Sequence, residues 1–185
     1  DMPDGDMEEP RSRAFARAHF APRRAWSRLL KRERTFSPRI QSSLISIFAD
    51  QRDDVLSKLD GIRSARISIE DLFNPAAWSR LFRIRVEPLR RKIVLDVAAD
   101  TMLGLGMPAR TFVFNDAVVT QIATQGAHLV SNVNATTEKR LSKAIAEGQS
   151  LGESGQSIAA RVREVFKGRR ANAMTIARTE VAKAS

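Results

Sequence analysis

Residues 37–61 read SPRIQSSLISIFADQRDDVLSKLDG. Ile40, Leu44, Ile47, Phe48, Val55 and Leu59 recur in it at three- and four-residue spacing. That is the period of one helix face, not the alternation of a strand. Ser37-Pro38 is a helix-start signal, Gly61 a stop, and Arg52, Asp53 and Asp54 fall mostly on the wet side. The stretch therefore predicts a long amphipathic helix with one face committed to a core.

The same pattern recurs downstream. Asn74-Pro75 forms a second cap-plus-proline start, and Trp78, Leu81 and Phe82 share the face that follows. Pro88 must kink that helix or divide it. Leu89, Ile93 and Val97 then carry the stripe on until Gly104, Gly106 and Pro108 end it. Asn115 or Asp116 can cap a helix with Val118, Ile122, Leu129 and Val133 on one face. Thr136 or Thr137 can cap another, bearing Leu141 and Ile145 and stopping at Gly148. Ile158, Val162, Val165 and Phe166 define a further helix that stops near Gly168, and a last one begins around Arg170. Thr111-Phe-Val-Phe114 alone has strand character, and it is too short to found a sheet. The fold class is all-α, with about seven helices and at most a minor extended segment near 111–114.

The 185 residues hold 43% hydrophobic side chains, enough for a core. Cysteine is absent, which removes disulfides, thiolate metal sites and cysteine nucleophiles, and only His19 and His128 could serve a histidine site. His128 reads as an ordinary core or surface histidine, and His19 as part of an N-terminal arm. No apolar run approaches the roughly 20 residues of a membrane span, and no secretion signal opens the chain.

The net charge of +10 is unevenly placed. Residues 1–10 carry five acids and no base, whereas residues 11–34 carry nine Lys/Arg against Glu33 alone. Residues 1–35 thus read as an acidic-then-basic arm or linker, partly disordered, ahead of a helical domain over 36–185. Basic clusters suit nucleic acid or an acidic protein surface, and equally a solvated helix face. Arg23, Arg24, Arg28, Lys31, Arg32, Arg90, Arg91, Lys92 and Arg169 are the candidate contacts to DNA or an acidic partner. Positive charge is permissive rather than diagnostic, and no helix-turn-helix pair stands out for base reading.

Signals for an enzyme are poor. Neither Gly104-Leu-Gly106 nor Gly148-Gln-Ser-Leu-Gly152 is followed by the Lys-Ser/Thr of a phosphate loop, and Gly152-Glu-Ser154-Gly155 lacks nucleophile-elbow spacing. Arg178 and Glu180 could pair an anion binder with a carboxylate. Two residues apart on a helix they diverge by roughly 200°, so they cannot meet at one reacting atom. An ion pair or a polar helix–helix contact is the expectation for each.

One ordered series is more specific. Thr136-Thr137-Glu-Lys-Arg-Leu141, Ile145-Ala-Glu-Gly148, Gly152-Glu-Ser154 and Ser157-Ile-Ala-Ala-Arg-Val162 are followed by Val165-Phe166. The series ends in Arg170-Ala-Asn-Ala-Met-Thr-Ile-Ala-Arg-Thr-Glu-Val181. It resembles the phage Mu F-like head morphogenesis family of minor head proteins. Phe48-Ala-Asp-Gln51 and Phe73-Asn-Pro-Ala-Ala-Trp78 are similar to weaker features of that family. The resemblance covers about residues 36–184 and is most specific after residue 135. The Ser154–Ser157 turn is slightly longer than the family's, and family members usually continue past the point where this chain stops at Ser185. The domain is therefore expected to be truncated at its C-terminus.

The resemblance implies a structural, non-enzymatic component of a tailed-phage or prophage head, near the portal vertex. In this family the domain stands alone or is fused behind a portal protein, and the charged arm fits such a joint. Portal and capsid or scaffolding proteins are the implied partners, with no cofactor, metal, membrane or small-molecule substrate. The implied location is the virion head or the procapsid in host cytoplasm. Arg170, Ala171, Ile176, Ala177, Arg178, Thr179 and Glu180 are the motif residues expected to serve structure and assembly. Two alternatives stay open: a helical module touching packaged DNA nonspecifically, and the delivery domain of a prophage toxin fusion.

Overall fold

A computed structural model describes residues 9–61, 67–113 and 115–185, and the side chains of the first helix from Ala25 onward. Among the described residues every regular element is helical. These are α1 (Glu9–Gly61), α2 (Ile69–Leu72), α3 (Pro75–Gly104), α4 (Asp116–Ser150), α5 (Gly155–Ala171) and α6 (Ala173–Ala184), with a 3-10 turn at Ala109–Thr111. The all-α class therefore holds, but about seven helices was too fine a division. Phe112 and Val113 form no strand, and Phe114 lies outside the described residues.

The division failed where local stop and start signals sit inside continuous helices. Ser37-Pro38 does not begin a helix: α1 runs through it. Pro38 is exposed, and the carbonyl its missing N–H leaves unpaired belongs to exposed Arg34, where water can serve it. Pro88 is tolerated inside α3 for the same reason, since the freed carbonyl is that of exposed Ile84. Thr136 and Thr137 cap nothing. Their hydroxyls donate to the carbonyls of Asn132 and Val133, four residues back, inside α4.

Other signals act as expected. The Asn74 side chain accepts from the Ala76 and Ala77 amides with Pro75 in the first turn, and Asn115 accepts from Val118. Both long hairpin helices end on a left-handed glycine. At the end of α4, Gly152 (φ 63°) donates to Gln149 and Glu153 donates to Gly148; at the end of α3, Gly106 (φ 74°) donates to Leu103 and Met107 to Met102. Only glycine adopts that φ cheaply, so the chain reverses there.

α1 is the central element, packing against α3, α5 and α6, while α4 packs against α3 and α5. The stripe that opens the reading is the floor of the core: Ile40, Leu44, Ile47, Phe48 and Val55 have no exposed surface. Phe48 meets Phe82 edge-on at 6.4 Å between ring centres. Phe73 stacks on Trp78 at 6.4 Å, which joins the turn before α3 to its first turn. Within this apolar floor lies Gln51, fully buried. It donates to Asn134 Oδ1 (3.3 Å), and Asn134 in turn donates to the Pro75 carbonyl and to Ser79 Oγ, both at 3.2 Å. This chain ties α1, α3 and α4 at one level of the bundle.

Candidate functional site

The C-terminal motif builds α6, a short helix seated on α1 and α3. Small buried residues, Ala173 and Ala177, let it approach closely, and Val181 fills the remaining contact with no exposed surface. Ile176 is half-buried beside the same core. Asn172 joins α5 to α6 with helical backbone angles, and the amide-to-carbonyl ladder passes through it.

The two charges of the Arg-Thr-Glu triplet go to different helices. Arg178 is exposed, and its Nε lies 2.8 Å from Glu33 of α1. Glu180 is buried, with its Oε2 3.6 Å from the Nε of buried Arg90 in α3. Lys183, one turn on, holds Glu180 Oε1 at 3.4 Å. Arg90 also donates through Nη2 to Gln125 of α4 at 3.2 Å. Burial lowers the pKa of the Arg90 guanidinium, and the nearby carboxylates of Glu180 and then Glu87 oppose that shift. Glu180 thus links α6 to α3 and, through Arg90, to α4. Arg170, Ala171 and Thr179 are exposed, and Thr179 donates to the Thr175 carbonyl.

This geometry separates two residues that the sequence presents as equals. An exposed ion pair contributes little because water and salt screen it. Arg178→Ala is therefore expected to cost less than about 1 kcal/mol, checked by urea unfolding.

Three of the nine proposed basic contacts are corrected by their burial. Arg32 (7% exposed) is held by Asp96 at 2.8 Å and by Asp100, both on α3. Arg90 (1%) is the partner of Glu180. Arg169 (5%) lies over the Phe48 ring, 5.1 Å from its centre, and donates to the Val133 carbonyl at 3.3 Å. Burial, with Arg140 beside it, draws the Arg169 guanidinium down to about 10. None of these three can meet a phosphate surface without leaving the core. Arg28 is exposed and 3.9 Å from Asp100. Lys31, Arg91 and Lys92 are exposed. The side chains of Arg23, Arg24 and His19 lie outside those described. His128 is on the surface of α4.

Comparison with family models, curated proteins and solved structures finds no match for this chain. Among the described residues no group of three or more His, Cys, Asp or Glu could hold a metal ion, and no helix is long and apolar enough to cross a membrane.

The structure brings Arg52 of α1 to cations that already cluster in the sequence between Arg161 and Arg170. Arg163, Lys167 and Arg170 stand one or two turns apart on one face of α5, and Arg52 of α1 faces them across a cleft of about 680 Å³. Asp53 lines it too and is held by Arg52 at 2.8 Å. The 163, 167, 170 spacing sets these three on one helix face, while Arg169 between them turns into the core.

Proposed function

We propose that the chain is a structural minor head or portal-associated protein of a tailed phage or prophage, acting in head assembly through protein–protein contacts. The observation that carries this reading is the ordered run from Thr136 to Val181, with its resemblance to the Mu F-like head morphogenesis family. The placement of the run supports it. Arg178 and Glu180 each tie α6 to a different helix, so the triplet serves the shape of the domain rather than one reacting centre. In this reading the protein is non-enzymatic, works in the procapsid and mature head, and meets the portal, with scaffolding or capsid subunits around it.

The cationic cleft favours a second role, as a nonspecific DNA contact. From Arg163 to Arg170 the α5 axis rises about 10.5 Å, over which one DNA strand carries about three phosphates. Phe166 beneath the cleft is 1% exposed, so no ring is offered for base stacking and a duplex backbone is the fitting ligand.

Salt titration separates the two. Purified chain should stay on isolated portal rings as salt rises, while any DNA affinity falls steeply with salt. Failure to bind rings, with salt-sensitive DNA binding that disappears in the Arg163→Glu/Lys167→Glu/Arg170→Glu variant, would overturn the assembly reading in favour of the second.

A further inference from the structure

The turn that joins α3 to α4 carries four large apolar side chains that the core does not take up. Leu103, Leu105, Met107 and Val113 are between 41% and 75% exposed. From Thr101 to Asn115 the one charged residue is Arg110, and it too is exposed. The 3-10 turn at Ala109–Thr111 packs back on α3, so these side chains stand on a compact, convex tip.

Further down the same hairpin, a trough of about 750 Å³ lies between α3 and α4. Its α4 wall is low because exposed Ala123, Ala127 and Ala135 are small, and the edges of Leu129 and Val130 lie beneath them. Glu87 and Glu138 line it against Arg83, while Arg90 is taken by Glu180, which leaves acid in excess. A tip cannot reach the trough of its own chain: from Val86 to Gly104 the single helix α3 rises about 27 Å.

We propose that the apolar tip of one copy docks in the trough of a second copy, with Arg110 answering the acidic excess of the rim. Shape and charge both select this occupant, because a convex apolar surface bearing one cation matches a concave surface of small apolar side chains bearing excess acid. Tip and trough are different surfaces, so the contact is head-to-tail, and one copy can give and receive at once. Four side chains make a small contact, of the transient class that forms only as concentration rises. The inference goes beyond the head-assembly reading and does not rest on it.

Analytical ultracentrifugation of the whole chain tests this, with Leu105→Asp/Val113→Asp altering the tip and Ala127→Arg the trough. The natural chain should associate as its concentration rises. Each variant alone should raise the apparent dissociation constant at least about tenfold, because a charge replaces an apolar contact. All three positions are exposed, so circular dichroism should stay unchanged, and Ser131→Arg takes the place of Ala127→Arg should that variant unfold. Mixed one to one, the tip and trough variants should regain association, limited to a dimer, since one supplies an intact trough and the other an intact tip. A natural chain that stays monomeric at millimolar concentration would overturn the proposal. So would association untouched by the trough variant, as a tip-to-tip contact would give, or a mixture that associates no better than its components.

Discussion

Glu180→Ala is expected to destabilise the domain by about 3–5 kcal/mol, because it leaves Arg90 charged and unpaired in the core. Arg90 is 1% exposed, and among the described residues no second acid lies within ion-pair distance of it. The loss should appear as a lower urea midpoint with unchanged slope. The joint replacement Arg90→Met/Glu180→Leu removes both charges and should lie far closer to the natural chain than Glu180→Ala does. If Glu180→Ala proves as mild as Arg178→Ala, the buried pair does not hold α6 in place.

Phe48→Ala carries the second large expected effect, also about 3–5 kcal/mol. The ring has no exposed surface, meets Phe82 edge-on and lies under the Arg169 guanidinium. Truncation opens a cavity where α1, α3 and α5 converge and strips Arg169 of its aromatic neighbour. Phe48→Leu restores most of the volume but not the ring, so its smaller loss measures the cation–π and edge contacts together. A loss near zero in Phe48→Leu would show that volume decides, whereas equal losses in the two variants would show that the ring contacts do.

The helix faces were legible because burial imposes a period on the sequence, and Ile40, Leu44, Ile47, Phe48, Val55 and Leu59 keep it. Caps were legible where the backbone truly turns, as at Asn74, Asn115 and Gly106, whereas Gly148, read as a stop, lies inside α4 and the reversal falls at Gly152. Ser37-Pro38 and Thr136-Thr137 misled because a proline on a wet face, or a threonine bonding back along its own helix, breaks nothing. Buried polar groups were hidden. Gln51, Asn134, Arg90 and Arg169 look like surface residues in one dimension, and only partners far along the chain make their burial possible. The fate of Arg178 and Glu180 was half legible: helical geometry separates them, but their opposite exposures come from α1 and α3.

The protein composition of purified heads tests the central claim most directly. Mass spectrometry of heads assembled from the phage or prophage that encodes this chain should find it as a fixed-ratio component, retained through high-salt washing together with the portal. Its absence from those heads, or its loss in step with removal of DNA, would contradict a structural role in the head.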